Sequence, residues 1–497
     1  MTKAKKITAA VLAAASLLSV TACGGGRGNT GTTNASDTTS APTTTPETFD
    51  TDAAVQEAIA HIEVDKTLNP TKKIKWLSWY PVDETAAPLE LFKANYGIPE
   101  EGDESYGDYA NSVISYVHVA YADRYDSLGK MVASGDSPDV MQFEICNFPL
   151  GVYKSMYQPI DGIIDTYAPE WADTREIMDK FMWNGKNYCA ITEVNTSYLW
   201  FYRRSVAEEA GLEDPYELYK KGEWTWDKFL EMADKFQQTG DTSQLSDGGG
   251  KYIINGYGNF IASTFLCTTG VPLVGYDNGL LKSNLFDSNI ERGMGVLETL
   301  CKEEYRYPGE KNGWNPMEKE WAAGNILFMT NGTWFYSETA QKYMRKNNWD
   351  QDDIFFVPVP KDPNADAYYQ EMKVDPYMFI QGSDNVDGFK ALVSCQLYAS
   401  KDPEVKAAQR EKDKRDSYWT DEQLDFIDEL KSGVFSPVFD YRNGISAACA
   451  DTTSGTSPTD MLICYPLQNP DYTYTQLRGE YTGEIDAAIN ELNEAVS

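Results

Sequence analysis

Histidine is nearly missing from this chain: its 497 residues include two, His61 and His118. Neither stands beside a group of cysteines, so the usual zinc ligand sets are excluded and no metal is expected. The body of the chain has no G-x-S-x-G elbow, no P-loop, no dinucleotide fingerprint and no H-E-x-x-H stretch. Esterase, nucleotide and zinc-protease chemistries therefore lose their signatures, and no cofactor is implied. Basic charge is also scarce. Against 76 acidic side chains there are 43 Lys and Arg, for a net charge of -33. Such a surface repels nucleic acid and anionic headgroups, and neither is expected as a partner. Eight cysteines are present, but no two form a C-x-x-C pair. Setting Cys23 aside leaves Cys146, Cys189, Cys267, Cys301, Cys395, Cys449 and Cys464, an odd number. They read as mostly buried small hydrophobes with at most one or two bridges.

What is present begins with a segment built for export. Lys3, Lys5 and Lys6 make a positive start, and an apolar run from Ile7 to Val20 follows. That run is shorter than the about 20 residues a membrane-spanning helix needs. Val20-Thr21-Ala22-Cys23 closes it and resembles the bacterial lipobox, in which a peptidase cleaves before the cysteine and the thiol accepts diacylglycerol. Residues 1-22 are expected to be a signal peptide and Cys23 a lipidation site, palmitate being among its acyl groups. The product would sit at the extracellular face of the cell membrane, and two acyl chains make such an anchor stable. Losing the three lysines would take the net charge to -36.

Residues 24-50 then hold nine threonines and no Leu, Ile, Val or Met. That composition cannot bury enough apolar surface to offset its ordering entropy. As a coil these residues reach about 30 Å. Residues 23-65 are read as a lipid-anchored flexible linker and N-terminal segment.

The remaining residues, about 430, exceed one ordinary core and suggest two lobes. Strand-like and helix-like stretches alternate, which signals an α/β architecture. Ile74 to Tyr80 reads as a buried strand stopped by Pro81, and Asp139 to Phe143 as another. Between Thr225 and Gly240 a helix is expected, capped by Thr225, with Phe229, Met232, Ala233 and Phe236 on one face. Asp277-Asn278-Gly279 signals a hairpin. A last helix is expected to start at Thr482 and to bury Ile485, Ala488, Ile489 and Leu492.

In their order, these motifs resemble the extracellular solute-binding proteins of ABC importers, in the carbohydrate-binding group that includes maltose-binding protein. The resemblance starts at the strand Ile74 to Tyr80 and the helical stretch Pro88 to Tyr96. It continues through Tyr125-Asp126-Ser127-Leu128, Ala133-Ser134-Gly135-Asp136-Ser137-Pro138-Asp139-Val140 and Asn184-Gly185-Lys186-Asn187-Tyr188. Leu199 to Arg204 follows, with Arg203 and Arg204 where family members usually have Asn-Lys. Then come Ala210-Gly211-Leu212, Trp224-Thr225-Trp226-Asp227, Gly324 to Met329, Asn331-Gly332-Thr333-Trp334 and Phe356 to Lys361. The final helix around Glu484 to Leu492 completes the series. The resemblance implies a two-lobed periplasmic-binding-protein-like α/β fold, with a ligand cleft and a hinge between the lobes. Lobe 1 would hold residues 66-190 and 374-430, and lobe 2 residues 191-373 and 431-497. It also implies a monomer that delivers solute to ABC transporter permease subunits.

Sugar recognition needs an aromatic face for the pyranose and planar polar groups for its hydroxyl rim. Trp334, at the family's Gly-x-Trp position, is the leading aromatic candidate. Trp79 and Tyr80 end the first strand where ligands sit in open α/β sheets, with Asp83 and Glu84 following. Phe143, Glu144 and Asn147 follow the second strand, while Asp139 reads as structural. Glu193, Asn195 and Tyr198 lie at the expected crossover, Asn259 and Phe260 on a loop of lobe 2, and Tyr377 on the return crossing. Tyr368-Tyr369 matches a pair that binds iron in ferric-binding relatives. No supporting ligand accompanies it, so packing is the expected role. A lipid-anchored glycoside hydrolase is the rival from another class, needing two carboxylates about 5 to 10 Å apart across a sugar. An adhesive surface protein is a third reading.

Overall fold

The computed structural model describes residues 51-101, 112-142, 147-196, 198-308, 316-450 and 456-496. All of them fall within one compact unit, Asp50–Ser497. Cys23 and its flanking segments, Cys146, Phe143 and Glu144 lie outside the described residues.

Two sheets organise the unit. The first runs, in spatial order, through Ser436–Val438, Tyr369–Phe379, Val140–Gln142, Ile74–Ser78 and Ile114–His118. Ile74–Ser78 pairs parallel with both its neighbours. Tyr369–Phe379 enters antiparallel beside Val140–Gln142 and also pairs antiparallel with Cys189–Thr196. The second sheet runs Ile354–Val357, Leu199–Arg203, Ile326–Asn331 and Tyr252–Gly256. Every residue of Ile326–Asn331 and Ile354–Val357 is buried. Strands covered on both faces read as continuous apolar runs, which is why these were visible in the sequence.

Asp139 is structural, as expected. It is buried, and its carboxylate accepts from the Lys75 amide (2.8 Å), the Ser383 hydroxyl (2.6 Å) and the Asn385 side chain (2.9 Å). One side chain thus ties the first strand to the turn after Tyr369–Phe379. The second sheet rests on an aromatic core. Trp200 lies 4.8 Å from Phe229 and 5.6 Å from Phe328, and Trp224 5.5 Å from Phe328.

The helix at Thr225 spans Trp226–Gln237, its cap accepting from the Lys228 amide (3.4 Å) and its four expected apolar residues buried. It ends before Gly240, whose amide donates back to the Gln237 carbonyl. Asn278 and Gly279 both hold positive φ, 53° and 83°, between the paired strands Val274–Asp277 and Leu280–Ser283. This is the geometry of a type I′ hairpin. The last helix departs from expectation. It spans Tyr474–Glu494, starting at a Thr473/Gln476 capping box rather than at Thr482. Thr482 is interior, its hydroxyl donating to the Arg478 carbonyl (2.6 Å), the i−4 back-bond by which a mid-helix threonine satisfies its hydroxyl. Ile485, Ile489 and Leu492 are buried as expected, Ala488 partly.

Cys189, Cys267, Cys395, Cys449 and Cys464 are buried free thiols, and Cys301 is a partly buried one. The Tyr368 hydroxyl donates to the Val359 carbonyl (2.8 Å) and the Tyr369 hydroxyl to Asp366 (2.9 Å), so both serve local packing. The helix Asp421–Lys431 lies on the second sheet: Phe426 stacks 5.5 Å from Phe356, and Gln423 donates to the Ile354 carbonyl. The helix Tyr474–Glu494 is fixed through Tyr474, which donates its amide to Glu298 and its hydroxyl to the Leu285 carbonyl. No helix among the described residues is long and apolar enough to cross a membrane.

Candidate functional site

A groove of about 1140 Å3 opens where the chain passes between the sheets. Its floor comes from the two long antiparallel strands: Glu193, Asn195 and Thr196 on one, Lys373 and Asp375 on the other. Ala86, Ala87 and Pro88, at the start of the helix Ala87–Tyr96, line one side. Thr333, Trp334 and Ser337, just past the buried strand Ile326–Asn331, line another.

Trp334 owes its place to its neighbours. Asn331 accepts the Gly332 amide with its own side chain (2.9 Å), turning the chain at the strand's end. The indole then folds back over Gly332, where a Cβ would come within 1.9 Å of the ring. The Gly-x-Trp pattern thus has a steric reason: only glycine leaves room for the ring. Trp334 stays 39% exposed and meets Tyr198 edge-on at 5.7 Å. Tyr198 stacks face to face on Phe260 at 4.0 Å, and Tyr257, 37% exposed, meets Phe260 edge-on at 5.6 Å. Four aromatic rings thus make one continuous bank. Asn259 and Phe260 sit in the first turns of the helix Gly258–Cys267, not on a loop as expected. A helix buried nearly all round shows no amphipathic period, so periodicity could not announce it. Asn259 is buried, its Oδ1 accepting the Phe260 amide (3.0 Å).

The floor is charged and paired. Glu193 binds Lys431 (2.6 Å), and the Lys373 ammonium lies 3.7 Å from Asp375 and 5.4 Å from the Trp334 ring. Burial holds the Asp375 carboxyl above the usual range; Glu193 adds to the rise, while Lys373, Lys431 and a hydrogen bond from Asn195 oppose it.

At the carboxyl end of the first strand a second aromatic group forms. Trp79 meets Tyr80 at 5.3 Å and Tyr121 at 5.2 Å, and the Arg124 guanidinium lies 3.8 Å from the Tyr121 ring and 4.3 Å from Tyr125. Tyr80 is partly exposed. Asp83 shapes the adjoining turn, its Oδ1 accepting from the Thr85 amide (3.0 Å) and hydroxyl (2.7 Å), and the Glu84 carbonyl accepts from Lys93 (3.2 Å).

Of the expected ligand residues, Glu193, Asn195 and Trp334 line the groove. Phe260 joins it through Tyr198 and Trp334. Trp79, Tyr80, Asp83, Glu84, Asn147 and Asn259 are outside its lining. Asn147 is buried and donates to the Tyr157 hydroxyl (3.3 Å), and Tyr377 is buried against Trp76. Lys373, Asp375, Tyr257 and the Tyr121–Arg124 pair were missed. A smaller hollow of about 550 Å3, lined by Tyr219, Lys361, Tyr368 and Glu429, lies apart from these groups.

The family model of bacterial extracellular solute-binding proteins matches residues 104–395, more than half of the chain. The chain belongs to that family. No curated protein matches this solute-binding protein. Among solved structures, the GacH receptor of Streptomyces glaucescens, solved unliganded and with acarbose, is 16% identical. The match has a TM-score of 0.57 and covers 84% of this chain and 98% of that one. The galacto-N-biose/lacto-N-biose I-binding protein of a Bifidobacterium longum ABC transporter is 11% identical, with a TM-score of 0.60 over 85% and 98%. The maltotriose-binding protein of Thermus thermophilus is 13% identical, with a TM-score of 0.54 over 86% and 100%. The solute-binding protein thus shares their two-lobed α/β fold.

Proposed function

We propose that this solute-binding protein is a carbohydrate receptor that captures a sugar or oligosaccharide in the groove beside Trp334 and delivers it to an ABC importer. The carrying observation is the aromatic bank of Trp334, Tyr198, Phe260 and Tyr257 set against a polar floor. A pyranose offers an apolar C–H face and a hydroxyl rim, and the groove offers the complement of each. Support comes from the relatives of the same fold, which hold acarbose, lacto-N-biose and maltotriose. Residues 66-190 and 374-420 form the first lobe in this reading, and residues 191-373 and 421-497 the second. The packing of Phe426 on Phe356 supports moving 421-430 to the second lobe. Ligand favours closure by its higher affinity for the closed state, and the closed monomer presents both lobes to the permease subunits.

The lipobox-like Cys23 and the threonine-rich segment complete this account. A receptor tethered within about 30 Å of its anchor keeps a high effective concentration at the importer. The family match favours a binder over the hydrolase.

A thermal-shift screen over mono- and oligosaccharides tests the reading, with scattering at saturation to follow closure. A melt raised by a neutral sugar, together with a smaller envelope and no released product, is expected. Stabilisation by peptides or polyamines alone would reject the sugar class, and sugar turnover would reject the receptor.

A further inference from the structure

The helix that carries Phe260, Gly258–Cys267, packs on the floor strand Tyr369–Phe379. Residues two apart on a strand share a face, so Tyr369, Glu371 and Lys373 point the same way. Along the helix, Phe260, Ser263 and Cys267 follow one another at steps of three and four, on one side. The two rows meet in order. Lys373 lies at the groove end, 5.4 Å from the Trp334 ring. Next, the Ser263 hydroxyl donates to Glu371 Oε2 (3.2 Å). Just past the helix, Gly270 holds a φ of 82° and passes so close to the Tyr369 ring that a Cβ would stand 2.9 Å from it.

Glu371 is held from its other side as well. Its Oε1 lies 3.7 Å from Arg442 Nη1, which donates to Asp440 Oδ2 (3.2 Å). Asp440 in turn accepts the amides of Leu273 (3.2 Å), Val274 (3.1 Å) and Arg442 (3.0 Å). Leu273 and Val274 belong to the segment leaving the helix, so one network grips both the middle of the helix and its exit. The Arg442 and Asp440 side chains are nearly closed off from water. Two carboxylates around one buried guanidinium carry a desolvation cost that an apolar set of the same size would avoid. What the charged set adds is direction. Apolar contact alone leaves a helix several neighbouring seats along a strand, whereas a satisfied polar network selects one of them.

One turn before Ser263 stands Phe260, stacked on Tyr198 at 4.0 Å, and Tyr198 meets Trp334. Tyr198 follows the other floor strand, Cys189–Thr196. The bank is thus held between two paired strands, by a stack at one and a hydrogen bond at the other. A slide of the helix along its strand would carry Phe260 off Tyr198. We propose that Glu371 is a positioning residue for sugar binding, fixing through Ser263 the helix that carries Phe260 and so the set of the aromatic bank. Glu371 is outside the groove lining and does not touch ligand. The inference rests on the sugar reading above and adds the device that keeps the bank in register.

The test titrates the full chain calorimetrically with acarbose, maltotriose, lacto-N-biose and β-1,6-galactobiose, and follows those that bind. Ser263→Ala removes the donor at a site no ligand reaches and should weaken binding about fivefold. Glu371→Gln still offers Ser263 and Arg442 a hydrogen-bond partner each and should restore affinity to within about twofold of wild type. Phe260→Leu removes the ring, and adding Ser263→Ala to it should cost about 1.5-fold or less, because the two act on one element. Melts without ligand check that every variant is folded. Wild-type affinity in folded Ser263→Ala, or an undiminished fivefold loss in the Phe260→Leu background, overturns the positioning role and leaves the sugar reading standing. Failure of the wild-type chain to bind any of the four sugars overturns the sugar reading and this inference with it.

Discussion

Replacing Trp334 by alanine is the sharpest test of where ligand binds. A tryptophan side chain presents up to about 250 Å2. Trp334 is 39% exposed, so about 100 Å2 is available for a sugar face to cover. At about 25 cal/mol per Å2 that cover contributes about 2.5 kcal/mol, or about 60-fold in Kd. Stability should fall as well, because about 150 Å2 of the indole is already covered by protein, worth up to about 3.8 kcal/mol on the same scale. Gly332→Ala provides an independent route to the same loss. Its new methyl would stand 1.9 Å from the ring and must push the indole off its present seat without altering it chemically. Calorimetric titration of both variants with the sugar found by screening, beside thermal melts without ligand, reads out the two effects separately. Affinities within threefold of wild type for folded Trp334→Ala and Gly332→Ala would refute a stacking role for this residue.

Asp139→Ala should cost about 3 kcal/mol, since three donors lose a buried charged acceptor; a urea midpoint unchanged from wild type would contradict the anchor role. Glu371, partly buried beside Asp440 and Arg442, has its carboxyl pushed up by desolvation first and by Asp440 second, against the pull of Arg442. Its folded pKa lies above the ordinary 4.5, so its contribution is full below that pH and is lost as pH rises through the folded value. Glu371→Gln should therefore flatten the fall in stability above pH 4.5, and identical urea midpoints against pH in both proteins would reject this. Cys23→Ala should yield protein that leaves the membrane fraction, still binds ligand and supports uptake poorly. Unaltered membrane retention would remove the lipid anchor.

The fold was legible because its signals are local. Strands buried on both faces leave apolar runs that cannot be mistaken for solvated loops, and Thr225 and Asn278-Gly279 announce a cap and a turn within a few residues. The last helix escaped for an equally local reason: Gly479 and Gly483 flank Thr482 and imitate a boundary, while the true cap at Thr473 stands well upstream of the apolar stripe that begins at Ile485. The site was legible only where one residue carries its own explanation. Trp334 does, since its ring needs Gly332 beneath it. Glu193 and Asn195 do in part, because a period of two puts both on one face of a strand. Asp375 carries no such sign. In the sequence it is a carboxylate before Pro376, in a stretch that reads as the weakening end of a strand. It reaches the groove only because the folded strands bring it beside Glu193 and Asn195, across a bulge in which Thr192 and Glu193 oppose it. Sequence can nominate polar residues near a crossing, but which of them meet in the groove is decided by the register and the bulge of the folded strands.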